Sequence, residues 1–159
     1  MGAITVKDSL GPPLTERDIA AIEREFGVSL PGDYRAFLRK HNGGSPSPDA
    51  FPIFRDSADT HGILNRFLGI SPGDYDDMLA VRKVFQERVP PDLLPIACDP
   101  GGNLICLAVA GTNRRRIYFW DHEEEADEGE PPTYDNVYFV AESFTDLLNN
   151  LTELPENAD

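Results

Sequence analysis

Cysteine is scarce in this chain of 159 residues, which contains only Cys98 and Cys106. Neither has a second cysteine or a histidine at the spacing of zinc ligands, so no zinc site is expected. The two cysteines flank a segment typical of a turn, Asp99-Pro100-Gly101-Gly102. If Cys98 pairs with Asn103 across that turn, Cys106 lies opposite Pro95, on the other face of the ribbon. We therefore expect two half-buried strand residues without a disulfide, as suits a reducing cytoplasm.

Long apolar runs are also missing. No segment has the length and hydropathy of a membrane span, and no signal-peptide core follows Met1. The chain is therefore expected to be soluble, unexported and without a membrane partner. Its length predicts one domain, which buries about two-thirds of its unfolded surface. The sequence shows no internal repeat.

Catalytic motifs are missing as well. The sequence has no glycine-rich phosphate loop after a strand, no GxSxG elbow and no HExxH. His41 falls on an apolar helical stripe and is expected to be a packed residue. Asp121-His122-Glu123 resembles a metal or acid–base cluster, but a single histidine beside carboxylates lacks metal-ligand spacing. We expect no enzymatic activity, no cofactor and no metal.

Positive charge is scarce, with 14 Lys and Arg against 28 Asp and Glu and a net charge of −14. Such a surface repels the phosphates of nucleic acid and favours a basic protein partner. The only concentrated positive charge is Arg114-Arg115-Arg116. These three residues cannot form a nucleic-acid groove. They either pair with the carboxylates of the acidic run from Asp121 to Glu130 or open a strand.

Negative charge is concentrated in one run, Asp121 to Glu130, which contains seven carboxylates and no Lys or Arg. It carries half of the net charge, and Pro131-Pro132 ends it. The run predicts a flexible loop between two strands, too charged to pack. This loop either only solvates the domain or binds a basic partner. Trp120, just before it, either covers the sheet, which we favour, or anchors a partner. The candidate partner-binding residues are Trp120, Asp121, Glu123, Glu124, Glu125, Asp127, Glu128 and Glu130.

The clearest local signal is a pair of short helices within Thr15 to Gly44. Thr15 can cap the first helix through its hydroxyl, and Gly27 can close it in the left-handed conformation. Pro31 suits the first turn of the second helix, since its missing N–H costs nothing there. Asn42-Gly43-Gly44 is expected to stop that helix.

The remaining chain predicts mainly strands, with two further helices. The predicted strands are residues 51–54, 62–70, 93–97, 103–109, 116–120 and 136–141, and the predicted helices are residues 74–88 and a closing helix capped by Ser143. Helices, then strands, then a helix indicate an α+β fold. We predict a single domain with a mostly antiparallel curved sheet, against which the N-terminal helices and a C-terminal helix pack.

An ordered set of short motifs resembles the SUKH superfamily, in its branch with the yeast cell-wall-synthesis regulators. The set is Leu30-Pro31-x-x-Tyr34 with Phe37-Leu38, Asn42-Gly43-Gly44, Pro95-Ile96-Ala97-x-Asp99 with Gly102-Asn103, Tyr118-x-Trp120-Asp121-His122-Glu123, and Phe144-x-x-Leu147-Leu148. The resemblance covers roughly residues 14 to 151. It divides the chain into a loose lead-in at 1–13, a SUKH-like domain at 14–152 and a tail at 153–159.

The resemblance implies an α+β fold and, for bacterial members, a frequent role as immunity proteins that neutralise toxins. Physically, most motif residues are predicted to determine the fold by capping, turning or packing. These residues are Leu30, Pro31, Tyr34, Phe37, Asn42, Gly43, Gly44, Pro95, Gly102 and Asn103. Together with the acidic charge, the resemblance predicts an immunity protein for a basic toxin, possibly a nuclease. The alternative is a regulatory or scaffold module that binds other proteins.

Overall fold

The fold joins four α-helices to a curled antiparallel sheet in one α+β domain, as predicted. A computed structural model describes residues 4–55 and 58–154. Within these residues the helices are α1 (Glu16–Phe26), α2 (Gly32–Leu38), α3 (Met78–Phe85) and α4 (Phe144–Asn149). The strands are β1 (Thr5–Lys7), β2 (Ser45–Ser47), β3 (Ala50–Arg55), β4 (Ala58–Ile63), β5 (Arg66–Phe67), β6 (Leu93–Cys98), β7 (Leu104–Ala108), β8 (Ile117–Trp120) and β9 (Val137–Ala141).

The main sheet has seven strands in the order β4-β3-β9-β8-β7-β6-β5, with antiparallel neighbours. Its inner face forms the larger core with α1, α2 and α4, and Phe144 of α4 packs edge-on against Tyr34 and Phe37. The outer face forms a smaller core, in which Phe85 of α3 covers Trp120. The helices therefore lie on both faces, and α3 alone covers the outer one in the described residues.

The two N-terminal helices start as predicted. The Thr15 hydroxyl accepts the Asp18 N–H at 3.1 Å, and Asp18 in return accepts the Thr15 N–H at 2.8 Å. This reciprocal pair is a capping box. Gly27 closes α1 in the left-handed region with φ of 65°. The second helix ends at Leu38, earlier than the predicted stop, and His41 packs its ring against Phe37 beyond the helix.

The third helix is shorter than predicted. It begins at Met78 because Asp77 is its N-cap, with the side chain accepting the Ala80 N–H at 3.0 Å. The preceding aspartates lie in a turn closed by a hydrogen bond from the Asp77 N–H to the Asp74 carbonyl at 3.2 Å. Tyr75 lies in this turn, outside the helix, and is 98% exposed.

Two other boundaries differ from prediction. Residues 62–70 are not one strand, because the end of β4 and the short β5 are separated at Leu64 and Asn65. The predicted lead-in at 1–13 contains β1, which pairs with β2. Three residues carry too little periodicity to signal a strand. The predicted tail at 153–159 lies mostly outside the described residues.

The strand register corrects the prediction for the cysteines. Cys106 lies opposite Pro95 as expected, but the pairing skips Ile96, so Cys98 lies opposite Leu104 and not Asn103. This bulge places both cysteines on the outer face, where Cys98 packs against the cluster that contains Cys106. Both thiols are free, and burial raises the pKa of Cys98 to about 11 and also raises that of Cys106.

Asn42 connects the helical layer to the chain before α3. Its side chain accepts the Ile70 N–H at 2.7 Å and donates to the Ile70 carbonyl at 3.0 Å, and the residue is 3% exposed. Gly69 lies so close that an added Cβ would stand 2.3 Å from the Asn42 Oδ1. Asn42 therefore does not end α2, which stops at Leu38, but fixes the close approach of two backbone segments.

Replacing Asn42 with alanine is expected to lower the free energy of unfolding by about 2–3 kcal/mol, because both Ile70 backbone groups lose a buried partner. Urea unfolding of the two proteins measures the difference. The exposed Asn149→Ala is the matched control and should change stability by less than about 0.5 kcal/mol. Equal effects of the two substitutions would contradict the assigned role of Asn42.

Candidate protein-binding groove

Most of the predicted fold-determining residues hold the helical layer. Leu30, Tyr34 and Phe37 are buried in the larger core, and Pro31 precedes the first residue of α2. Gly43 and Gly44 have φ of 71° and 115°. A Cβ on Gly43 would lie 2.9 Å from the Phe67 carbonyl oxygen, so the close approach requires glycine.

The β6–β7 turn positions the start of the acidic loop, which we define as residues 121–130. Asp99 accepts hydrogen bonds from the Asn103 N–H at 2.7 Å and from its side chain at 2.8 Å. The Asn103 Oδ1 accepts the His122 N–H at 3.0 Å, and the His122 ring Nδ1 lies 2.6 Å from the same oxygen. Gly102 has φ of 94°, and a Cβ there would contact the His122 ring. These motif residues thus link a turn to the loop.

The acidic loop is more ordered than predicted. A 3₁₀ turn spans His122–Glu124, and the Asp121 side chain caps it by accepting the Glu123 N–H at 3.0 Å. Asn136 fixes the Asp121 backbone with hydrogen bonds of 3.0 and 2.9 Å. The prediction of a loop too charged to pack is therefore wrong for its first part, because Asp121 is hydrogen-bonded to a backbone N–H and an arginine remote in sequence neutralises Asp121 and Glu124.

Arg55 of β3 neutralises the inner side of the loop. Its guanidinium pairs with Asp121 at 2.8 Å and with Glu124, and it lies 4.2 Å from the centre of the Tyr138 ring. Tyr138 in turn donates its hydroxyl to Glu124 at 2.6 Å, which raises the pKa of Tyr138. Burial acts to lower the pKa of Arg55, but the hydrogen bond that Arg55 donates to Asp121 and the nearby charges raise it overall. The carboxylates on this side of the loop are therefore already paired with groups of the same chain.

Arg88, just after α3, anchors the loop at a second point. It pairs with both carboxylate oxygens of Glu125 at 3.1 and 3.0 Å. Its guanidinium lies 4.5 Å from the centre of the Phe85 ring and 5.7 Å from that of Trp120. Planar bidentate pairing of this kind fixes the relative orientation of the two side chains as well as neutralising their charges. The loop is therefore held beside the C-terminal end of α3.

A groove lies between α3 and the loop, with a volume of about 1040 Å³. One wall is formed by residues from Lys83 to Pro91, and the other by residues 125–132. The carboxylates of the groove are Glu87, Glu125, Asp127, Glu128 and Glu130, and its cations are Lys83 and Arg88. Val84, which is 64% exposed, and three prolines add apolar surface. The groove therefore combines negative charge with apolar contacts.

The structure divides the candidate partner-binding residues into two groups. Asp121, Glu124 and Glu125 pair with arginines of the same chain. Glu123, Asp127, Glu128 and Glu130 are exposed and, within residues 4–55 and 58–154, form no ion pair. Only the second group offers free charge to a partner.

Trp120 is not a surface anchor. It is fully buried on the outer face of the sheet, where the Phe85 ring meets it edge-on at 5.6 Å. The favoured alternative, that it covers the sheet, is what the structure shows. Its role at the groove is to support Phe85 and Arg88.

Two groups missed from the sequence are Arg55 and Arg88, since each is remote in sequence from the loop that it anchors. The arginine run, predicted to pair with the acidic-loop carboxylates or to open a strand, forms no hydrogen bond or ion pair with the loop in the described residues. Arg116 pairs with Glu142 at 3.2 Å, and Arg114 donates to the Ser29 carbonyl at 2.7 Å.

Across residues 4–55 and 58–154, no cluster of three His, Cys, Asp or Glu side chains is arranged to hold a metal ion. No helix in the same part of the chain is long and apolar enough to cross a membrane. A groove of fixed charge and apolar surface is suited to binding a protein segment.

The fold and groove define a small α+β protein-interaction domain. The SMI1/KNR4 family (SUKH-1) matches residues 13–150, and the chain belongs to this family. The predicted membership of the SUKH superfamily is thereby confirmed. Proteins of this family are protein-interaction modules. The chain is also similar to the SPbeta prophage-derived uncharacterized protein YokK of Bacillus subtilis (strain 168). The two are 26% identical over 160 residues, which cover 91% of this chain and 78% of the relative.

Proposed function

We propose that the protein is a cytoplasmic, non-enzymatic immunity protein that neutralises a basic toxin by occluding it. The observation that carries the proposal is the groove between α3 and the acidic loop, where five carboxylates face two cations. The two arginines that anchor the loop pair only with carboxylates in its first part. The charges of Asp127, Glu128 and Glu130 are therefore available to a partner. A basic segment of a partner would bind there by charge and by contact with the prolines.

The whole-chain charge supports a partner of this chemistry. A net charge of −14 accelerates encounter with a cationic surface and disfavours acidic partners. A toxin that holds phosphates, such as a nuclease, must itself carry a basic groove. An acidic protein seated in that groove excludes its substrate. The similarity to a prophage-derived protein is compatible with a role in competition between genetic elements.

Co-expression tests the proposal. The product of an adjacent toxin-like gene is expressed with and without this protein, and the growth of the two cultures is compared. We expect restored growth and a stoichiometric complex in size-exclusion chromatography. The proposal fails if no adjacent product is toxic, or if the protein neither binds such a product nor restores growth.

The family match also favours a second candidate, a regulatory or scaffold module that binds several proteins of its own cell. A pull-down from the native cell distinguishes the two. A scaffold recovers several endogenous partners, whereas an immunity protein recovers a single basic toxin domain and only when that domain is present.

A further inference from the structure

A second, smaller pocket lies on the outer face of the sheet and has a volume of about 260 Å³. Its lining residues are Asp92, Leu93, Asn113, Tyr118, Tyr134 and Val137. Leu93 is buried, and Tyr118 and Val137 are half-buried strand residues, so they form the floor. Asp92, Asn113 and Tyr134 are more polar and form the rim. The pocket is large enough for one long side chain.

Asp92 gives this pocket its charge. Its Oδ1 accepts the Tyr134 hydroxyl, and this hydrogen bond raises the pKa of Tyr134 to about 12. Within residues 4–55 and 58–154, the Asp92 Oδ2 accepts no hydrogen bond and forms no ion pair. The carboxylate therefore keeps one oxygen for an incoming donor.

The surroundings of Asp92 suit a flat cation. Tyr118 and Tyr134 both line the pocket, and aromatic faces attract guanidinium groups. No lining residue is Lys or Arg. Arg82 donates to the Leu93 carbonyl at 3.2 Å, and Arg116 donates to the Asn113 Oδ1 at 3.1 Å and hydrogen-bonds Tyr118. The charge of Arg116 is offset by Glu142 at 3.2 Å.

The pocket and the groove share no lining residue, but neighbouring chain segments line them. Pro91 lines the groove and Asp92 lines the pocket, while Pro132 lines the groove and Tyr134 lines the pocket. An extended segment that occupies the groove would therefore reach the pocket by crossing these two adjacent chain segments. One occupant can fill both.

We propose that this pocket binds a single arginine side chain of the partner, with the guanidinium bonded to Asp92 between Tyr118 and Tyr134. Arginine suits the site better than lysine because its planar fork bonds a carboxylate and stacks on aromatic rings at once. The identity of the partner rests on the proposed function, but the chemistry of the pocket does not.

The test uses the full chain and the peptide acetyl-Gly-Arg-Gly-amide, followed by two-dimensional NMR. We expect saturable shifts at Asn113, Val137 and Leu93. The citrulline peptide, which has the same shape without the charge, should bind much more weakly. Asp92→Asn should weaken binding of the arginine peptide about tenfold, as for loss of a hydrogen bond to a charged group.

Two variants serve as controls. Asp135→Asn removes an exposed carboxylate that lines neither cavity and should leave the affinity unchanged. Tyr134→Phe keeps the ring and frees Asp92, so binding should persist. Equal binding of both peptides, or an unchanged affinity in Asp92→Asn with a dispersed spectrum, would overturn the proposal. Shifts confined to the groove would also overturn it while leaving the proposed function standing.

Discussion

Replacing Trp120 with alanine is expected to lower the free energy of unfolding by about 3–5 kcal/mol, the range for large aromatic residues in a core. Trp120 is fully buried and packs against Phe85. Its removal leaves a cavity between α3 and the sheet. Arg88 also loses the indole ring that its guanidinium approaches, so the groove should loosen as well. Urea or thermal unfolding measures the loss.

Two comparisons sharpen this prediction. Trp120→Phe should cost clearly less than the alanine variant, since a ring still meets Phe85 and the buried indole N–H has no partner in the described part of the chain. Tyr75→Ala, at a residue that is 98% exposed, should change stability by less than about 0.5 kcal/mol. A loss below about 1 kcal/mol for Trp120→Ala would contradict the assignment of Trp120 to the core.

Neutralising the four unpaired loop carboxylates is expected to slow association with a basic partner by about tenfold or more at low salt. The variant combines Glu123→Gln, Asp127→Asn, Glu128→Gln and Glu130→Gln. These side chains are exposed and outside the loop's ion pairs, so folding should be unchanged. Stopped-flow association kinetics with the cognate toxin domain measure the effect.

The matched control changes the net charge by the same amount elsewhere. It combines Asp8→Asn, Glu25→Gln, Asp74→Asn and Glu153→Gln, all exposed residues that line neither cavity. Its association should slow only slightly. An equal slowing in both variants would show that total charge, and not the groove, determines the rate.

Local signals in the sequence predicted the helical layer well. Each signal involves residues only a few positions apart: the Thr15 cap, the left-handed Gly27 that ends α1, and the helical spacing of the buried Tyr34 and Phe37. The antiparallel strands from Leu93 to Ala141 were also predicted, because apolar runs and turn residues alternate there. Such features need no knowledge of distant contacts.

The register and the site depended on distant contacts and were less predictable. A single skipped residue, Ile96, moved Cys98 to the face that carries Cys106. The acidic loop is ordered by Arg55 and Arg88, which lie 66 and 37 residues from their partners Asp121 and Glu125. The periodicity of apolar residues along the sequence does not indicate such distant pairs. The groove itself lies between α3 and the loop, which Arg88 holds through Glu125.

The most direct test of the central claim is the salt dependence of association between this protein and the basic toxin domain, with and without the four loop substitutions. If the groove and its loop carboxylates steer the partner, the native protein shows a steep fall in association rate with ionic strength, and the variant shows a flatter one. If the two slopes coincide, the loop only solvates the domain and the binding surface lies elsewhere.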